Sequence, residues 1–120
     1  MQNREHLVLV GPMGAGKSTL GRALAARLQR PFVDVDARIE AEAGCSIAAL
    51  FEAEGETGFR VHEARVLATV LAEPAAVIAT GGGAVLAQAN RAAMRAAGIV
   101  VYLQVAAATQ LARLQDDATR

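Results

Sequence analysis

Apolar positions along this chain follow two rhythms that alternate. Short runs at Leu7 to Val10, Ala75 to Thr80 and Ile99 to Leu103, each flanked by glycine, and the alternating Phe32-Val-Asp-Val-Asp36 after Pro31, predict strands. Between them the apolar residues fall three and four apart. Leu20, Leu24 and Leu28 predict one amphipathic helix, 37 to 43 a short one closed by Gly44, and Ile47, Leu50 and Phe51 another, capped by Ser46 and ended by Gly55. A longer helix follows from Gly58, with Val66, Leu67, Val70 and Leu71 as its apolar face; Asn90 to Ala97 and Ala107 to Leu114 complete the set. Strands alternating with helices predict a parallel sheet covered on both faces, with right-handed crossovers: a three-layer αβα arrangement in one domain spanning 1–120.

The loop after the first strand carries the strongest chemistry. Gly11-Pro-Met-Gly-Ala-Gly-Lys-Ser-Thr19 fits the pattern G-x-x-x-x-G-K-S/T between a strand and a helix, the order a phosphate-binding loop needs. Glycines let successive N–H groups turn inward around phosphate oxygens, and the helix N-terminus adds its partial positive charge. Lys17 would reach the β- and γ-phosphates, and the Ser18 hydroxyl would ligate Mg²⁺. An ordinary glycine turn is the plainer alternative.

Open α/β sheets gather ligands at the carboxyl ends of their strands, which brings two more features to this loop. Asp34 and Asp36, two apart on a predicted strand, would share one face, opposite Val33 and Val35. Gly81-Gly-Gly83 follows the third strand and could form a wall for a ligand or a loose turn. Arg60, whose same-face neighbours Ala64, Leu67 and Leu71 are apolar, is expected to aim inward; it could equally pair with Glu63 on a helix surface. Beside Arg60, Asp36 is expected to stay ionised and act as a weak base.

Composition narrows the classes. With 53% apolar residues the chain can build a core, and twelve basic against twelve acidic residues, in no basic cluster, argue against a nucleic-acid partner. The polar start followed by four apolar residues is too short for a signal segment or a membrane span, so a cytoplasmic location and no membrane contact are expected. Cys45, the only cysteine, excludes an intrachain disulfide and is expected to be a half-buried packing residue.

Taken together, Gly11 to Thr19, the Phe32-x-Asp-x-Asp36 strand end, Gly44-x-Ser-Ile47, Phe51-x-x-x-Gly-Glu56, Phe59-Arg60-x-x-Glu63, Thr80-Gly-Gly-Gly83 and Val101-Tyr-Leu103 stand in the order and spacing of shikimate kinases. The resemblance covers essentially the whole chain. It implies a P-loop kinase-like fold that transfers the γ-phosphoryl of ATP to the 3-hydroxyl of shikimate in aromatic amino-acid biosynthesis. Carried over by position, it implies that Gly14, Ala15, Gly16, Lys17, Ser18 and Thr19 bind ATP and that Ser18, with Asp34 through water, holds Mg²⁺. Asp36, Arg60, Gly81, Gly82 and Gly83 would hold shikimate, with Glu63 orienting Arg60 or the substrate. Lys17, Asp36 and Arg120 would be catalytic, Arg120 opening the family's lid and touching ATP phosphates.

Relative to that family the sequence stops at the start of the lid, before a further strand, helices and a second substrate arginine. The family expectation is a monomer. A chain of 120 residues, with Ile99 to Leu103 expected to need neighbours on both sides and cover on both faces, is expected to self-associate and to show little kinase activity. Two alternatives remain at this stage: a related P-loop kinase for another polyol acid such as gluconate, and a nucleotide-binding protein without turnover.

Overall fold

A computed structural model describes residues 5–12, 16–81 and 83–103. The elements run β1 (His6–Val10), α1 (Lys17–Leu28), β2 (Phe32–Asp34), α2 (Val35–Ala43), α3 (Ile47–Ala72), β3 (Val77–Ala79), a 3₁₀ turn (Ala84–Leu86), α4 (Gln88–Ala97) and β4 (Gly98–Tyr102). All strand pairings are parallel, in the order β2-β3-β1-β4. Leu9 lies opposite Ala79 and Asp34 opposite Ala79 from the other side, so the carboxyl ends of β1, β3 and β2 finish side by side. The helix expected at 107 to 114 lies outside the described residues.

The central strand β1 is buried along its whole length because alternate residues serve opposite faces. Leu7 and Leu9 join Ala25 of α1 and Val77 in one apolar cluster. Val8 and Val10 join Val35, Ile39, Phe59, Val66, Leu67, Val70 and Met94 in the other, which α2, α3 and α4 cover. On α1 the buried positions are Gly21 and Ala25, whereas Leu20 and Leu24 are half-buried and Leu28 is exposed. The expected leucine face is thus corrected. Close approach decides it at the centre: a β-carbon on Gly21 would stand 2.4 Å from the Phe32 ring, while Leu24 packs against the cluster from its edge.

His6 is a buried polar residue satisfied at both ring nitrogens. Its Nε2 donates to the Leu71 carbonyl at 2.9 Å, and its Nδ1 accepts from the Ala76 N–H at 3.1 Å. One side chain therefore ties the end of α3 and the entry to β3 onto β1.

Three further expectations change. Gly55, with φ 73° and ψ −177°, breaks the helical path inside α3, as expected of a stop, but the chain resumes helix at once, so the two predicted helices join across a kink. Ser46 caps α3 as expected, accepting from Ala49 N–H at 3.1 Å. Cys45, in the turn before α3, is exposed and not half-buried. β4 pairs with β1 and is the edge of the described sheet, so Tyr102 is 60% exposed and the strand is not of the fully buried type. No helix among the described residues is long and apolar enough to cross a membrane.

Candidate active site

The phosphate loop leaves β1 at Val10 and re-enters helix at Lys17, with Gly16 as the residue before α1 in the left-handed region, φ 84°. A side-chain-bearing residue is disfavoured in that conformation, which explains glycine there. No side chain caps α1, so the N–H groups of its first turn are open to an anion. Lys17 Nζ donates to the carbonyls of Gly11 at 2.7 Å and Pro12 at 2.9 Å, which folds it back over its own loop. Burial lowers its pKa, against the opposing pull of Asp36 and then Asp34. That influence puts both carboxylates in the electrostatic field of the loop. Ser18 and Thr19 lie exposed on the first turn of α1. Gly14, Ala15, Gly82 and Arg120 lie outside the described residues.

The two aspartates do not share a strand face. β2 ends at Asp34, which caps α2 by accepting from Ala37 N–H at 3.3 Å, and Asp36 sits in the first turn of that helix. The expected extended geometry fails because Asp34 is a good N-cap and the helix takes over one residue later. The consequence is a division of labour: Asp34 stays at the strand end, while Asp36 turns against the glycine loop. Its Oδ1 is buried with no hydrogen-bond partner and lies 2.8 Å from where a β-carbon on Gly81 would stand. Burial raises the Asp36 pKa, Asp34 adding to the rise and Lys17 opposing it. The expectation that Arg60 keeps Asp36 a weak base is therefore corrected, since Arg60 is among the smaller influences and desolvation dominates.

Arg60 is placed by the second half of α3. Its guanidinium packs over Phe59 at 5.2 Å, donates to Glu63 Oε1 at 3.0 Å, and lies 3.6 Å from Glu56. It also faces the glycine loop: a β-carbon on Gly83 would fall 2.3 Å from one of its terminal nitrogens. The pairing with Glu63 and the inward aim, posed as alternatives by the sequence, thus coexist. Glu63 is 1% exposed, and its Oε2 has no partner. Burial raises its pKa, the hydrogen bond from Arg60 pulling the other way.

Two residues that matter here were not singled out by sequence. Asn90, buried on α4, donates from Nδ2 to the Ala84 carbonyl at 3.1 Å, and Arg91 donates to the Val85 carbonyl. Together they hold the 3₁₀ turn that follows the triple glycine. In the sequence both look like ordinary residues at the start of a helix; only the chain's return toward the loop reveals their task. Thr80, buried at the head of that loop, donates to the Leu9 carbonyl at 3.1 Å.

Hard oxygen donors are available for Mg²⁺. Ser18 offers a hydroxyl on the first turn of α1, and the Asp34 cap bond occupies one carboxylate oxygen. Among the described residues no three His, Cys, Asp or Glu side chains cluster as a metal cage. That set fits Mg²⁺, which keeps several waters and takes one or two protein oxygens together with phosphates.

Comparison with known proteins bears on the family and the fold. A family model described as shikimate kinase matches residues 13–120. The shikimate kinase of Chromohalobacter salexigens is 51% identical over 120 residues, which is 100% of this chain and 67% of that protein. That of Thioalkalivibrio sulfidiphilus is 49% identical over the same span, 63% of its length. Among solved structures, the Acinetobacter baumannii shikimate kinase in complex with shikimate superposes with a TM-score of 0.81 at 50% identity, over 82% of this chain and 55% of that one. A gluconokinase from Sinorhizobium meliloti, 18% identical with a TM-score of 0.51, shares the fold alone. The chain spans about two thirds of the length of its curated relatives and a little over half of the solved chains. A family model over residues 13–120 and relatives at about half identity over the whole chain make this chain a member of the shikimate kinase family.

Proposed function

We propose that the protein is an ATP:shikimate phosphotransferase, the phosphoryl going to the 3-hydroxyl. The observation that carries this is that the unpartnered Asp36 Oδ1 lies against Gly81 and the Arg60 guanidinium against Gly83, with Asp36 in the electrostatic field of Lys17. A ring acid offers complementary groups: a hydroxyl for the orphan carboxylate oxygen and a planar carboxylate for the guanidinium fork. Gly81, Gly82 and Gly83 let the ring lie flat against backbone, while Glu63 holds Arg60 in place.

The nucleotide would take the other side. Gly14, Ala15, Gly16 and the first turn of α1, with Ser18 and Thr19, offer N–H groups to the phosphates. Lys17, released from the Gly11 and Pro12 carbonyls, would shift its charge onto the γ-phosphoryl, with Arg120 as a second contact. Ser18, and Asp34 through water, would hold Mg²⁺, which neutralises charge between the β- and γ-phosphates when bound. As the bond from the γ-phosphorus to the bridging oxygen breaks, a new bond forms from the substrate oxygen, whose proton passes to Asp36. The raised pKa of Asp36 suits it to accept that proton, though the loose transition state needs little removal. ATP as donor fits a cytoplasmic setting.

The test is ADP release by the full-length chain with shikimate, with gluconate, and with neither. Release that requires shikimate is expected. Release that requires gluconate, or tight Mg-ATP binding with no acid-dependent release, would overturn the assignment in favour of a related kinase or of a binder without turnover.

A further inference from the structure

The kink at Gly55 does more than end one helix, because Arg60 stands five residues beyond it on the helix that resumes. Two contacts bridge the break. On the inner side Phe51 and Phe59 stack, centroids 4.5 Å apart with planes at 28°, one ring from each side of the kink. On the outer side the Glu54 carboxylate folds back across Gly55 and meets His62 Nε2 at 3.2 and 3.3 Å. His62 Nδ1 in turn accepts from Arg65 at 3.1 Å, so the ring carries its proton on Nε2 and donates it to Glu54.

The space for this contact is built into the backbone. Gly58 lies directly beneath the Glu54 side chain: a β-carbon there would stand 2.5 Å from Glu54 Cβ and 3.1 Å from Oε1. Any larger residue would push Glu54 off the line to His62. Arg60 lies between the two bridges, over Phe59 and two residues before His62.

We infer that Glu54 and His62 form a staple across the Gly55 kink that sets the angle of the second half of α3, and with it the position of Arg60. Both are positioning residues, meeting at an exposed contact on α3. The inference rests on the proposed function only where it names the consequence, affinity for the carboxylate of the acceptor. A staple of this kind changes how well the fork is aimed and leaves the phosphate loop alone, since α1 and β1 take no part in it.

The test uses the full-length chain with His62→Ala, Glu54→Gln, the double variant, and His62→Gln, which keeps a donor toward Glu54 and an acceptor toward Arg65. The expected result is an apparent KM for shikimate raised about fivefold to tenfold in each single variant, no further rise in the double, and recovery in His62→Gln, with KM for ATP and kcat within twofold of the parent. Amide hydrogen exchange at residues 56–63 should quicken in His62→Ala and return toward the parent in His62→Gln. Parent-like exchange and parent-like KM in His62→Ala would overturn the staple, as would parallel losses in both KM values and kcat. If the parent itself ignores shikimate, the proposed function fails, and the exchange measurement still decides the staple.

Discussion

Asp36 Oδ1 is buried without a partner against Gly81, at a spot where a β-carbon on that glycine would come within 2.8 Å of it. An unpaired buried oxygen is costly, and here it lies directly against a residue that has no side chain. A ring hydroxyl would supply the missing donor. Gly81→Ala would push the Asp36 carboxylate aside. Its kcat/KM for shikimate should fall at least tenfold while Mg-ATP binding by calorimetry stays near the parent value. Equal losses for both ligands would place Gly81 outside the acceptor site.

Asp36→Asn should separate stability from activity. Burial raises the Asp36 pKa above that of an unfolded aspartate, so the folded state binds its proton more tightly than the unfolded one. Stability from this group is therefore fully present below the ordinary carboxylate range and is lost as pH rises through the raised folded value. Removing the charge should raise the thermal midpoint at pH 7, with the gain vanishing near pH 3, where both states are protonated. Over the same change kcat should drop about a hundredfold, since the amide cannot take the proton of the hydroxyl. A variant less stable than the parent at pH 7 would contradict the desolvation argument.

Lys17→Ala should lower kcat by several hundredfold, a loss of roughly 3–4 kcal/mol typical of removing one preorganised contact to the transferring group. The Gly11 and Pro12 carbonyls that hold Lys17 without ligand also predict a modest structural cost, since two acceptors lose their donor. Near-parent turnover would refute the phosphate-loop assignment.

The parts of this molecule that read easily from sequence are those fixed by short-range rules. Short strand patterns marked the four strands of the described residues, the second running two residues too long, the Ser46 cap and the Gly55 break were where their residue types put them, and Lys17 follows from the loop motif alone. What the sequence hid depends on competition between neighbours. Asp34 could extend a strand or cap a helix, and the cap won, which rotated Asp36 out of the predicted face and into the glycine wall. Leucines at helical spacing on α1 suggested a face, but the distance between helix and sheet is set by Gly21 and Ala25. Asn90 and Arg91 act on carbonyls six residues back, contacts that only a folded turn creates.

His6 offers a test of the fold away from the site. It joins β1 to the end of α3 and the start of β3 through the half-buried Leu71 carbonyl and the buried Ala76 N–H. His6→Leu fills similar space yet strands the Leu71 carbonyl and the Ala76 N–H, at about 1–3 kcal/mol for each orphaned group. Chemical denaturation should register a loss of about 2–5 kcal/mol, with KM values unchanged in whatever fraction stays folded. A loss below 1 kcal/mol would mean that water reaches those groups.

Arg60→Lys tests whether the guanidinium is chosen for its shape or only for its charge. Glu63 holds one nitrogen at 3.0 Å while Glu56 sits 3.6 Å from the other, and the plane lies against both Phe59 and the place a Gly83 side chain would take. A flat group wedged between a ring and a glycine can present two parallel N–H bonds to a carboxylate; an ammonium is a point charge with no plane to stack. The lysine should also leave Glu63, buried and already short of one partner, with a poorer one, which raises its pKa further. Apparent KM for shikimate should therefore rise at least tenfold, with KM for ATP within twofold of the parent. An Arg60→Lys enzyme that keeps the parent's KM for shikimate would reduce Arg60 to a helix-surface partner of Glu63.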